Sequence, residues 1–149
     1  DFVARKEPPM PKRIDNLRTL EVRISDINYG NHMGNDRALT FFQDARISFL
    51  QQLGYEERRI GDNVGIIVSE AQVKYRKEVF LHDLLDASVW VDELRDRSFV
   101  MHYAFIRQSD QACVFEGSTK IYAFDYQSRK AVRLPEAFRK SVGDDLSEV

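Results

Sequence analysis

Residues 36–53 contain no glycine or proline and are apolar over most of a helical circumference. Leu39, Phe42, Phe49, Leu50 and Leu53 recur at helical spacing, and Arg46 interrupts their stripe. Ala38, Phe41 and Ala45 widen that stripe beyond the single face of an ordinary surface helix. A helix this apolar has to be enclosed on several sides. Asn35 is placed to cap its start, Asp36 puts a negative charge in the first turn, and Gly54 follows its end as a left-handed C′ residue.

The enclosure has to come from the rest of the chain. Before the helix, Leu20, Val22 and Ile24 alternate with Glu21 and Arg23, which predicts a half-buried strand over residues 17–25. Residues 26–35 are rich in Asn and Gly and read as a loop. Residues 55–63 are a polar connection. Beyond them the apolar period becomes two. Strands are expected over residues 64–77, 85–91, 98–107 and 112–125, joined by polar turns. The strand over 98–107 is apolar on both faces: Phe99, Met101, Tyr103 and Phe105 on one, Val100, Ala104 and Ile106 on the other. Such a strand sits centrally in a sheet covered on both sides. One helix followed by a strand meander is an α+β domain with a five-stranded antiparallel sheet. The helix covers one face of the central strand, so a second copy of the chain is expected over the other. That points to a homodimer or homotetramer.

Residues 1–16 hold three of the four prolines and are expected to be a flexible N-terminal arm, 17–125 the domain, and 126–149 a polar C-terminal tail with a short helix over 135–141. With 149 residues, 43% of them hydrophobic and 31% charged, the chain fits one globular domain. A net charge of −2 gives no basic field for nucleic acid. The lone cysteine, Cys113, excludes an intramolecular disulfide and reads as a small core residue. No apolar run approaches the ~20 residues of a membrane span, and the first residues lack the apolar stretch of a signal peptide. A cytoplasmic location is therefore expected. The three histidines lack ligand spacing, and no phosphate-cradling glycine motif is present, so neither a metal nor a nucleotide cofactor is expected.

The loop carries the chemistry. Residues 25–35 read Ser-Asp-Ile-Asn-Tyr-Gly-Asn-His-Met-Gly-Asn, and residues 41–46 read Phe-Phe-Gln-Asp-Ala-Arg. This resembles acyl-CoA thioesterases of the 4-hydroxybenzoyl-CoA thioesterase type. It is also similar to plant acyl-ACP thioesterases, whose loop has the form Asp-x-Asp-x-Asn-x-His-Val-Asn-Asn. The resemblance spans about residues 17–125. It implies a hotdog fold, a long central helix wrapped by the sheet, and hydrolysis of acyl-CoA or acyl-ACP thioesters. Asp26 matches the first Asp of that loop, His32 its His, and Asn35 the second Asn of the closing pair. Asn28 stands where the relatives carry the second Asp, the one usually assigned catalysis. A carboxylate can take a proton or attack a carbonyl; an amide can only orient its neighbours by hydrogen bonds.

Three catalytic candidates follow: Asp26 or His32 as base, with Asn28 holding the water. Backbone N–H groups of Met33, Gly34 and Asn35 at the helix start are candidate donors to an oxyanion. Gly34 and Asn35 would meet the substrate, and Phe41 and Phe42 would line its acyl chain. Arg76 and Lys77 would meet the CoA phosphates. Blander roles compete: a loop cap for Asp26, a turn for Asn28, a structural hydrogen bond for His32, an N-cap for Asn35. A non-catalytic acyl-thioester binding module that lost its carboxylate is the main alternative. A lyase or dehydratase on the same fold is a third reading.

Overall fold

The structure, a computed structural model, describes residues 12–143. Strand β1 (Arg13–Glu21) leads through a 3-10 turn (Ile24–Asp26) and a loop into helix α1 (Arg37–Gln52). Strands β2 (Val64–Tyr75), β3 (Leu84–Asp92), β4 (Ser98–Arg107) and β5 (Cys113–Asp125) follow, then a two-residue β6 (Lys130–Ala131) and a short α2 (Glu136–Ser141). The sheet order is β1-β3-β4-β5-β2, with β6 paired to β5 and every pairing antiparallel. This is the α+β hotdog fold, with β4 at the centre of the five long strands. The sheet gains β6 as a sixth, minimal strand. Among the described residues no helix is long and apolar enough to cross a membrane.

The core lies between α1 and the inner face of the sheet. Leu85, Ala87, Val89 and Val91 of β3 and Phe99, Met101, Tyr103 and Phe105 of β4 are fully buried there. From α1, Ala38, Phe41, Phe42, Ala45, Phe49 and Leu50 pack down on them. The Phe42 ring stacks on Tyr103 at 4.4 Å. Leu39, read as part of the buried stripe, instead points outward and is 48% exposed. On the outer face of β4, Val100, Ala104 and Ile106 are half-buried.

Arg46, the one charge in the stripe, is buried and paired. Its Nε donates to Glu57 at 2.7 Å and its Nη1 to the Tyr103 hydroxyl at 3.1 Å. The Tyr103 and Thr119 hydroxyls are 2.7 Å apart. Burial pushes the Tyr103 phenol up, so it stays protonated and able to donate. No buried side-chain nitrogen or oxygen among the described residues lacks a hydrogen-bond partner.

Gly117 lies opposite Tyr103 on β5. A Cβ there would sit 2.0 Å from the Gln72 carbonyl oxygen and 2.8 Å from Phe42 Cζ. The position has to be glycine because the helix ring and the neighbouring strand both close on it. Gly117→Ala is expected to destabilise the domain by about 1–3 kcal/mol through overpacking, read as a lowered denaturant midpoint. An unchanged midpoint would show that the sheet yields without strain.

Three boundaries differ from the sequence expectation. β1 starts at Arg13 and ends at Glu21, so it takes in residues 13–16 of the expected arm and leaves Ile24 exposed. Pairing sets this: the ladder with β3 runs from Arg13 opposite Trp90 to Glu21 opposite Leu84, with an irregularity between Ile14 and Arg18. Residues 1–11 of the arm and 144–149 of the tail lie outside the described residues. The N-cap of α1 is Asp36 rather than Asn35, and it makes no side-chain capping bond. The tail also does more than expected. Leu134, Phe138 and Val142 are buried, and the Phe138 ring meets Tyr55 at 5.0 Å and Phe99 at 5.7 Å.

The helix end agrees with the sequence. Gly54 has φ of +88°, its N–H donates to the Gln51 carbonyl, and the Tyr55 N–H donates to the Leu50 carbonyl. These are the two bonds of a Schellman motif.

Candidate active site

The loop between β1 and α1 is closed by its own backbone. Ile27 and Met33 bridge antiparallel, the Asn28 N–H donates to the His32 carbonyl at 3.0 Å, and the Asn31 N–H donates to the Asn28 carbonyl at 3.1 Å. Asn31 makes the turn with φ of +68°, a region Asn tolerates. The Asn28 amide oxygen accepts from the Gly30 N–H at 2.9 Å, an Asx turn. Its side chain therefore holds the turn.

Asp26 is 6% exposed. One carboxylate oxygen accepts from Arg37 Nε at 2.9 Å and the other from the Arg23 N–H at 2.9 Å. Both oxygens are occupied in joining the loop to the first turn of α1. Gly34 is buried too, and its N–H donates to the Asp26 carbonyl at 3.0 Å. A Cβ on Gly34 would stand 2.7 Å from Oδ1 of Asp36, an exposed side chain that can turn aside. The Met33 N–H donates to the Val79 carbonyl at 2.7 Å. Two of the three expected oxyanion donors are thus engaged. The N–H groups of Asn35 and Asp36 have no acceptor among the described residues.

Beside this loop lies a groove of about 240 Å³, lined by His32, Met33, Asn35, Tyr75, Arg76, Lys77, Glu78, Val79 and Phe115. Of the expected site residues it gathers His32, Asn35, Arg76 and Lys77. Asp26, Asn28 and Gly34 are not in its lining. Neither are Phe41 and Phe42, which the packing of α1 on the sheet draws into the core. His32 Nδ1 is 3.2 Å from the Met33 carbonyl oxygen. A carbonyl only accepts, so Nδ1 carries the proton in the neutral ring and Nε2 keeps its lone pair. Arg76 is paired with Glu116 at 2.8 Å, whereas Lys77 has no ion-pair partner among the described residues.

Sequence reasoning missed the far wall of the groove. The Tyr75 hydroxyl donates to the Asn35 carbonyl and joins the end of β2 to the start of α1. Glu78 and Val79 come from the turn after β2, and Phe115 from β5. One signal was available: Val79, Phe80 and Leu81 are three apolar residues inside a segment read as a turn.

That turn is held by Arg107. Its guanidinium donates to the Glu78 carbonyl at 2.9 Å, to Asp83 at 3.1 Å, and through two nitrogens to Asp110 at 3.1 and 3.0 Å. Those contacts occupy all three Arg107 nitrogens. The Arg107 bonds, with the Ala112 N–H, lower the Asp110 carboxyl from 3.8 to about 2. A carboxyl depressed in the folded state stabilises above its unfolded pKa and loses that contribution as pH falls through the folded one. The thermal midpoint is therefore expected to fall between about pH 4 and pH 2, and Asp110→Asn to flatten that fall. Identical profiles for the two proteins would remove the assignment.

Asp44 of α1 pairs with Arg18 of β1 at 2.5 Å. His82 pairs with Glu21 at 2.8 Å, and His102 pairs with Asp92 at 3.0 Å. The Cys113 thiol is raised by burial, then by Glu116, which disfavours a reactive thiolate.

With this geometry in hand, the family follows from one further match. A family model described as the thioesterase-like superfamily covers residues 22–142. The chain belongs to the thioesterase-like superfamily. Its relatives include the long-chain acyl-CoA thioesterase FadM of Escherichia coli (strain K12), 21% identical over 123 residues, 83% of this chain and 93% of that one. The fold is similar to a 1,4-dihydroxy-2-naphthoyl-CoA thioesterase from Synechocystis, with a TM-score of 0.80 at 14% identity over 91% of this chain and 98% of that one. It is similar as well to a gentisyl-coenzyme A thioesterase, with a TM-score of 0.74 at 19% identity over 83% and 97%. At such identities the structural likeness speaks for the fold. Within the thioesterase-like superfamily, this chain places its loop histidine and the start of α1 on one groove.

Proposed function

We propose that this protein hydrolyses acyl-CoA thioesters, releasing free acid and CoA thiol. The observation that carries the reading is His32, whose Nε2 lone pair belongs to a ring lining the same groove as Asn35 at the start of α1. Water adds to the thioester carbonyl carbon while Nε2 takes its proton, and the C–S bond then breaks with return of that proton to the sulfur. The Asn35 and Asp36 N–H groups, at the positive end of the helix dipole, receive the charge that develops on the carbonyl oxygen. Lys77, with Arg76 beside it, meets the CoA phosphates at the rim. An acyl-ACP would present the same thioester.

The working form is a homodimer or homotetramer. β2 is a 12-residue edge strand with no partner along its outer edge among the described residues, and Ile67, Val68 and Tyr75 are exposed on it. Such an edge invites pairing with a second copy. The half-buried outer face of β4 supplies a second contact. A cytoplasmic setting suits the single unpaired Cys113.

A second reading rests on Asn28. An amide in place of a carboxylate, turned to the Gly30 N–H, favours a module that binds acyl thioesters without cleaving them. The two are separated by incubating the purified protein with acyl-CoAs and acyl-ACPs and following free thiol with a chromogenic reagent. Turnover supports hydrolysis. No turnover with saturable binding by calorimetry supports the module, and absence of both removes each reading.

A further inference from the structure

Arg107 stands outside the groove, yet one of its nitrogens holds the peptide planes on both sides of Val79. Its Nη1 donates to the Glu78 carbonyl at 2.9 Å, the carbonyl of the peptide that enters Val79. Among the described residues, Arg107 is the sole hydrogen-bond partner of that peptide. The same Nη1 donates to Asp83 Oδ2 at 3.1 Å, and that oxygen accepts the Phe80 N–H at 2.9 Å. The Phe80 N–H belongs to the peptide that leaves Val79.

The leaving peptide meets the loop before α1. Its carbonyl, that of Val79, accepts the Met33 N–H at 2.7 Å. The Met33 N–H is one end of the peptide that follows His32. The other end, the His32 carbonyl, accepts the Asn28 N–H at 3.0 Å. The Asn28 bond is internal to the loop, so Val79 is what ties this peptide to the turn after β2. The Met33 carbonyl then accepts from the His32 Nδ1–H at 3.2 Å.

We infer that Arg107 is a positioning residue for His32: it fixes the Val79 carbonyl, and through Met33 it sets the backbone and the tautomer of the histidine. This rests on the reading of His32 as the base. The arrangement needs a guanidinium. Its three nitrogens meet a carbonyl and two carboxylates in fixed directions, which the single ammonium of a lysine cannot do. The side chain is 12% exposed, and Asp110 anchors its Nε and Nη2 at 3.1 and 3.0 Å. The Val79 side chain is buried. It keeps the turn docked when Arg107 is changed, and what the change frees is the tilt of the two flanking peptides. A reacting group misplaced by about 1 Å costs about 10²-fold in rate, so the loss falls on kcat.

The test reads His32 directly in the full chain. Imidazole ¹⁵N shifts are recorded at about pH 9, above the ordinary histidine range, where they report the share of each neutral tautomer. Wild type is expected to show the Nδ1–H form. Arg107→Lys keeps the charge and loses the fork; Arg107→Gln loses both. Each is expected to move His32 to a mixture of tautomers and to lower kcat for acyl-CoA hydrolysis by about 10–10²-fold, with KM within about twofold. Should Arg107→Gln fail to fold, Arg107→Lys carries the same reading. Asp110→Asn separates positioning from stability. It weakens the anchor of Arg107 and leaves the bonds to Glu78 and Asp83. It is expected to lower the thermal midpoint while the His32 shifts and kcat stay as in wild type. Folded Arg107 variants with wild-type His32 shifts overturn the inference. An equal change of shifts in Asp110→Asn overturns it as well, because that marks general loosening. If wild type turns over no thioester, the hydrolytic reading falls, and the His32 shifts still decide the role of Arg107.

Discussion

Arg46→Ala is expected to destabilise the domain by about 2–4 kcal/mol, from the packing of its buried stem and the loss of a donor to the buried Tyr103 hydroxyl. Arg46 is 7% exposed, and its guanidinium satisfies Glu57 and Tyr103 together. Without it, the Glu57 carboxylate loses its counter-ion and the Tyr103–Thr119 pair loses a donor. Glu57 belongs to the connection between α1 and β2, so the same variant loosens the entry to β2. The measurement is urea unfolding of wild type, Arg46→Ala and the pair Arg46→Met with Glu57→Gln. The pair is expected to recover much of the loss, because replacing both charges removes the unmet desolvation. A single variant within about 1 kcal/mol of wild type would show that water reaches the network and that it is no anchor.

His32→Ala is expected to lower kcat for thioester hydrolysis by about 10²–10⁴-fold, the range for loss of a general base. KM should move little under the proposal that gives the CoA end to Lys77 and Arg76. Added imidazole is expected to restore part of the rate, since the vacated space adjoins the groove. Asn28→Asp belongs in the same experiment. Its oxygen would keep the bond to the Gly30 N–H and add a proton acceptor beside Gly30, where the His32 Nε2 also lies. Full activity in His32→Ala together with a large gain in Asn28→Asp would move the base to position 28 and overturn the role given to His32.

Much of the architecture was written locally. The apolar circumference of residues 36–53 forced an enclosed helix, Gly54 its end, and the period-two runs the strands of the sheet. These patterns repeat within a few residues, so no distant contact is needed to read them. The double-faced apolar strand found its central place for the same reason.

The site was legible only in part. Of the residues that the sequence singled out, His32, Asn35, Arg76 and Lys77 line one groove. The sequence could not tell which side chains face the groove. Asp26 is taken by Arg37 and by the Arg23 N–H, and Asn28 by its own turn. A polar residue in a loop can serve substrate or backbone equally, and only three-dimensional donors decide between them. Phe41 and Phe42 show the same limit: their spacing marks them as buried, while the groove they back is walled by Tyr75, Val79 and Phe115 from distant strands and turns.

What the sequence determined by itself, then, is the helix, the strand meander and the loop that meets them, because each rests on short-range periodicity or turn chemistry. Tertiary structure alone decided the start of β1, the pairing of Arg46 with Glu57 and Tyr103, the burial of Phe138, and the size of the groove. Each of these depends on residues brought together from far apart in the chain, where a ladder partner, a counter-ion or a neighbouring ring determines the outcome and no local pattern records it.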